Sequence, residues 1–217
     1  MKVLTREHYD RLIEEGNDPL KDDEVMRKYM QGWEGSNFID LLELSEKKRI
    51  LEIGVGTGRI AQRVLRNDYN EFVGLDISPK TIIRARDNLN EFKKVKLIEG
   101  NIENFVRENY FDVIYSVLTF MHVKNKEKAI TNIIFSLKVG GSVVLSISKQ
   151  DKWLNYGNRK VRLYPASVGE YILWFEETNC KIDLTKEVID TFSFSDGKKS
   201  DTYGEEIGFI IKATKVE

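Results

Sequence analysis

Residues 49–61 read RILEIGVGTGRIA, a short apolar run that breaks into glycines at 54, 56 and 58 and resumes with a helical pattern. Branched aliphatics at 50, 51 and 53 suit a buried strand. Glycines at alternate positions let the following backbone turn sharply and approach a ligand closely, and the helix beyond them begins with free amides. Such a turn fits an adenine-containing cofactor. The dinucleotide fingerprint places its glycines at offsets 0, 2 and 5, with alanine tolerated at the last. Here they stand at 0, 2 and 4, and offset 5 is Arg59, so the spacing argues against a nicotinamide dinucleotide. Glu52 ends the strand two residues before the first glycine, and a carboxylate buried there needs a cationic or hydrogen-bonding partner.

Outward from this turn the chain alternates strands and helices. Apolar runs at 49–54, 71–77, 95–100, 111–118 and 142–148 are separated by helical patterns, the clearest being Ala129, Ile130, Ile133, Ile134 and Leu137. Ser78-Pro79 opens a helix, serine as cap and proline in the first turn. Repeated units of this length predict a parallel sheet covered on both faces, with every strand's carboxyl end on one ligand-bearing edge. Asp76 ends the second run, 22 positions after Gly54, a spacing that suits an acid on a ribose without choosing between nucleoside cofactors.

The flanks differ. Val25, Met26, Tyr29, Met30 and Trp33 form one helical stripe, and Gly16-Asn17-Asp18-Pro19 separates it from an earlier segment with Leu4, Tyr9, Leu12 and Ile13. Ser36 is read as the cap of a further helix carrying Phe38, Ile39, Leu41, Leu42 and Leu44. At the other end, Pro165 is expected to start a helix with Val168, Tyr171, Ile172 and Phe175 on one face. Runs at 181–192 and 207–214 are expected to pair as an antiparallel hairpin closing the sheet edge.

The 217 residues are 41% hydrophobic, with 34 Lys and Arg against 35 Asp and Glu. That suits one large core without a broad polyanion-binding surface. One cysteine cannot form an internal disulfide, nothing at the N-terminus resembles a signal peptide, and no apolar run approaches the ~20 residues of a membrane span. A soluble, cytoplasmic protein is expected. Two histidines and one cysteine, widely scattered, predict no metal site.

With these landmarks in place, LEIGVGTGR resembles motif I of the class I S-adenosylmethionine-dependent methyltransferases, and the family's other landmarks follow in order. VGLDIS supplies the acid after the second strand, GNIENF the adenine-framing segment, FDVIYSVLTFMHV the fourth strand and its loop, and LKVGGSVVLS the turn into the fifth strand, with Val139 in place of proline. The match is strong over roughly 49–148. Asn101 stands where the family usually has aspartate, and its side-chain carbonyl can still accept from an adenine amino group. The resemblance implies a Rossmann-like doubly wound α/β fold, a mostly parallel seven-stranded sheet with an antiparallel C-terminal strand. It divides the chain into an N-terminal helical cap at 1–48 and a cofactor-binding domain at 49–217. It implies S-adenosylmethionine held by Glu52, Gly54, Val55, Gly56, Thr57, Gly58, Asp76, Ile77, Asn101, Ile102, Ser116 and Val117, with S-adenosylhomocysteine as product.

Methyl transfer from a sulfonium is an in-line displacement in which alignment supplies most of the acceleration, and a base is needed only where the acceptor must lose a proton. His122, just past the fourth strand, is the candidate base or else a loop histidine with local bonds. His8 is expected at the surface, and Cys180 is read as structural. Tyr9 and Trp33 are read as helix-packing aromatics, or as lid residues over the site. The segment 149–165 mixes Trp153, Tyr156 and Tyr164 with Lys149, Lys152, Arg159, Lys160 and Arg162; it reads as a solvated loop, or as an element recognising a planar or anionic acceptor. The expected acceptor is a small molecule, attacked through O, N or another atom. A tRNA or protein acceptor, an NAD-dependent oxidoreductase and a non-catalytic cofactor sensor are the alternatives. The sequence leaves the oligomeric state open.

Overall fold

The computed structural model describes residues 1–35, 37–149 and 151–216. Strands β2 (Arg49–Ile53), β3 (Glu71–Asp76), β4 (Val95–Glu99), β5 (Phe111–Val117) and β6 (Leu137–Ser148) run parallel, and β9 (Cys180–Ile189) and β10 (Glu206–Lys215) complete a seven-stranded sheet in the order β4-β3-β2-β5-β6-β10-β9. β10 is antiparallel to both its neighbours, as expected of a closing hairpin. The strand order reverses between β2 and β5, which leaves a crevice beyond Ile53 and Val117 at the topological switch point.

Helices cover both faces because each presents a single apolar stripe. On one side α5 (Lys126–Ser136) packs Ala129, Ile130, Ile133 and Ile134, and α6 (Val168–Glu176) packs Tyr171 and Phe175, against the sheet. On the other, α3 (Arg59–Val64) contributes Ile60, Ala61 and Val64, and α4 (Pro79–Asn88) contributes Ile82. Ser78 caps α4, accepting from the Thr81 amide at 3.1 Å.

The N-terminal region holds β1 (Lys2–Val3), α1 (Thr5–Glu14) and α2 (Glu24–Glu34). Here several expectations change. The apolar residues at 38–44 form only a 3-10 turn at Asp40–Leu42, ended by Glu43 in the left-handed region at φ 48°; the expected cap, Ser36, lies outside the described residues. Helix α6 starts three residues later than Pro165, because Ser167 and Glu170 form a reciprocal capping box. The segment read as a loop at 149–165 folds into a hairpin, β7 (Trp153–Tyr156) and β8 (Arg159–Arg162), with β1 added in parallel beside β8. His8, expected at the surface, is buried: its Nδ1 accepts from Arg159 Nε at 2.9 Å, and the same guanidinium makes a bidentate pair with Glu15 at 2.6 and 2.7 Å. Cys180 is buried and free. None of the described helices is long and apolar enough to cross a membrane.

Candidate cofactor and acceptor site

A cavity of about 580 Å³ opens at the switch point, roofed by α1 and α2. Its floor is the glycine turn. The amides of Gly54 and Val55 both donate to Leu75 O, at 2.7 and 3.1 Å, which ties the turn to the end of β3. Gly54, Gly56 and Gly58 all have positive φ, at 75°, 56° and 98°. Their reasons differ. A Cβ on Gly54 would lie 2.0 Å from Thr119 Oγ1, whereas one on Gly56 would meet nothing within 4 Å. Gly56 therefore faces open cavity, and Gly54 allows the loop after β5 to close on the turn.

Asp76 stands opposite. Its carboxylate accepts from the Gly56 amide and the Ser78 amide, each at 2.9 Å. Burial pushes its pKa up, and those backbone bonds offset part of the rise. Glu52 is also buried and lines the cavity, accepting from Tyr115 Oη at 2.8 Å. Burial holds its carboxyl well above the usual carboxylate range, and the Tyr115 bond opposes that only in part. Arg59 explains the departure at offset 5: its guanidinium pairs with Glu34, which also holds Arg63 and is only 1% exposed. The C-terminal end of α2 is thus locked to the start of α3, beside the glycine turn.

Of the residues named from sequence, Glu52, Gly54, Val55, Gly56, Thr57, Asp76, Ile77, Asn101, Ile102, Val117 and His122 line the cavity together. Two do not. Gly58 is the left-handed cap of α3 and packs against Leu89. Ser116 is buried under the turn, its Oγ donating to Ile53 O at 2.8 Å, so it fastens β5 to β2. Asn101 lines the cavity, but its Oδ1 already accepts from the Glu103 amide at 2.9 Å, leaving one lone pair for a ligand.

Sequence reading ranked Tyr9 as a packing residue. The structure brings it into the cavity wall, with its phenol oxygen 2.8 Å from His122 Nε2. Burial, then the Asp76 charge, push the Tyr9 phenol up. Burial lowers His122 to about 4, with His8 and Lys126 adding in the same sense. The imidazole is thus neutral, one nitrogen engaged by Tyr9 and the other buried without a partner among the described residues. Lys126 anchors this wall from behind: it is buried and donates to Val123 O at 2.8 Å and to Tyr164 O. Tyr164 lines the cavity as well, and its amide donates to Met121 O at 2.8 Å. Met26 and Met30, two of the five residues in the stripe predicted for α2, also face the cavity.

Residues 51–145 match the family model described as a methyltransferase domain. The chain is 28% identical over 128 residues to a malonyl-[acyl-carrier protein] O-methyltransferase of Ilyobacter polytropus, covering 52% of this chain and 48% of that protein. It is 26% identical over 137 residues to a ubiquinone biosynthesis O-methyltransferase of Rickettsia typhi, covering 61% and 51%. The chain spans about half the length of these curated relatives. Among solved structures, an S-adenosylmethionine-dependent methyltransferase from Mesorhizobium loti superposes with a TM-score of 0.66 at 15% identity, over 84% of this chain and 97% of that one. A Haemonchus contortus phosphoethanolamine N-methyltransferase, solved with phosphomonomethylethanolamine and S-adenosylhomocysteine, gives 0.66 at 16%, over 84% and 53%. These two share the fold. The relatives and structures just described are methyltransferases, and the nicotinamide reading finds no support among them. The ordered motifs of residues 49–148 and the matched family model agree on a methyltransferase domain at residues 51–145.

Proposed function

We propose that this protein transfers the methyl group of S-adenosylmethionine to a small-molecule acceptor bound beneath α1 and α2. The observation that carries this reading is one continuous cavity that joins Glu52, the Gly56 turn and Asp76 to the Tyr9–His122 pair. Its volume lies within the ~300–1,000 Å³ typical of small-ligand sites. The residues fit the cofactor: Gly56 leaves open space where a side chain would intrude, and two buried carboxylates have little protein charge to neutralise them.

Bound there, S-adenosylmethionine supplies a sulfonium-activated methyl carbon. Asp76 would hold the ribose hydroxyls, Glu52 the methionine ammonium, and Ile77, Asn101 and Ile102 the adenine, with Val55, Thr57 and Val117 completing the walls. His122 is reassigned from base to positioning residue, because Nε2 is taken by Tyr9 and an imidazole that titrates near 4 is a weak base. Tyr9 is the group that meets the acceptor, and it orients the nucleophile through its phenol. Residues 1–48 act as the cap of the 49–217 domain, and a lone buried thiol accords with a cytoplasmic protein.

Titration calorimetry with S-adenosylhomocysteine tests the cofactor half. Binding is expected, with an affinity loss of about tenfold or more for Asp76→Ala and no heat with NAD. Absence of heat with both S-adenosylmethionine and S-adenosylhomocysteine, for folded protein, overturns the reading. Labelled-methyl transfer to fractionated metabolites tests the acceptor half; tight cofactor binding without transfer to any fraction would leave a sensor.

A further inference from the structure

Three strands outside the main sheet, in the order β1-β8-β7, form a small sheet whose outer face is strongly basic. Residues on one face of a strand alternate, and cross-strand partners share a face. Trp153 pairs with Arg162, Asn155 with Lys160, and Lys160 with Lys2. The opposite face points inward, with Val3, Arg159 and Val161 buried. Lys2, Lys160 and Arg162 are exposed, as is Lys152 at the strand entrance beside Asp151.

These cations differ from the ion-paired ones elsewhere on the surface. Lys80, Lys138, Lys149 and Lys212 each meet a carboxylate. Among the described residues, Lys2, Lys152, Lys160 and Arg162 meet none; Lys2 and Arg162 instead stand over the Trp153 ring, at 4.9 and 5.2 Å from its centroid. The indole holds two like charges together on one face. The face also continues to the cavity mouth, since the Arg162 guanidinium lies 6.0 Å from the Tyr164 ring and Thr5 stands two residues past β1.

We propose that this face docks an acidic protein that presents the methyl acceptor to the cavity. The inference rests on the small-acceptor reading above and names how that acceptor arrives. Three strands at ~4.8 Å spacing spread the cations over roughly 10 Å, wider than one phosphate or carboxylate, so the partner carries several anionic groups. A polynucleotide is the poorer match. The indole is engaged by the cations and so is not a free platform for a base, and the chain's net charge is −1. The two arginines of the neighbouring α1, Arg6 and Arg11, are already paired with Glu99 and Glu7, so the basic track that a long phosphate backbone needs does not continue along that helix. A compact cluster of carboxylates meets the cations and does not need that helix.

The test uses the full chain at low salt, with three fluorescein-labelled probes: an acidic amphipathic peptide rich in Glu, a single-stranded RNA of equal charge, and phosphatidylglycerol vesicles. Salt-sensitive peptide binding that falls about tenfold or more in the Lys2→Glu, Lys160→Glu, Arg162→Glu triple variant supports the proposal. It is overturned if RNA or vesicles bind in preference, if the peptide does not bind, or if reversal of Lys93 and Lys94 on another surface weakens it equally. Calorimetry with S-adenosylhomocysteine on the same triple variant separates the two claims. Retained cofactor binding with lost docking concerns this face alone, and lost cofactor binding in the wild type concerns the enzyme reading.

Discussion

Tyr9 and His122, 113 residues apart in the chain, meet at 2.8 Å across the cavity between a cap helix and the loop after β5. Each explains the other: the phenol engages a nitrogen that burial keeps neutral, and the imidazole fixes where the hydroxyl points. Tyr9→Phe is expected to lower methyl transfer by about 10²-fold while S-adenosylhomocysteine affinity stays nearly unchanged. Paired transfer assays and calorimetry check this, and equal loss in both would assign Tyr9 to cofactor binding.

The same histidine sets a pH dependence. His122 titrates near 4 in the folded protein against 6.5 for an unperturbed imidazole, so between those values the unfolded chain binds the extra proton. The His122 contribution to stability should therefore rise with pH from about 4 to 6.5 and then level off, while Glu52, held high by burial, contributes in the opposite sense. His8, also lowered by burial, adds in the same direction as His122. Urea denaturation at pH 4.5 and 7 checks the slope, and His122→Asn should flatten it. With only two histidines in the chain, imidazole NMR can follow each one directly.

Two glycines of one turn should respond differently to alanine. Gly54→Ala forces a methyl into Thr119 and is expected to unfold the protein or displace the loop after β5. Gly56→Ala meets no atom, so its fold should survive with about 1–2 kcal/mol of backbone strain, while its methyl enters the cavity and cofactor affinity falls. Thermal melts and calorimetry distinguish the pair.

Glu34→Gln removes the charge that holds Arg59 and Arg63. The glutamate is buried but Arg63 reaches solvent, so a loss of about 1–3 kcal/mol is expected. Chemical denaturation reads the stability. Faster amide exchange in α2 would show that the cap loosens first.

Lys126→Met should cost about 1–3 kcal/mol, because the Val123 and Tyr164 carbonyls lose their shared buried donor. Lys126→Arg is expected to recover part of it. A neutral Lys126→Met in denaturation measurements would show that water replaces the ammonium.

The glycine turn, Asp76 and the alternation of strands and helices were legible because each depends on local pattern: alternation of apolar runs, capping serine, a fixed distance to an acid. Arg59 was legible as an anomaly but not as a partner, since Glu34 is 25 residues away and on another helix. Arg159 was misread for the same reason. A cation in a basic stretch reads as solvated, and its partner Glu15 lies 144 residues earlier. A signal for the hairpin was present in Gly157-Asn158, a two-residue turn with Gly157 at φ 56°, flanked by alternating side chains. Ser116 fell on the right strand end but faces the turn's underside, a difference of one residue in a pattern whose period is two.

The pairing of Lys2 with Lys160 has a kinetic consequence. Strand β1 has no strand to join until some 160 further residues have been made, so closure of the roof is a late, long-range event. The five parallel strands β2 to β6 can assemble beforehand, with their nucleoside crevice still open to passing ligands. A nascent chain stalled before β8 should therefore already be able to bind the cofactor, without holding anything to be methylated.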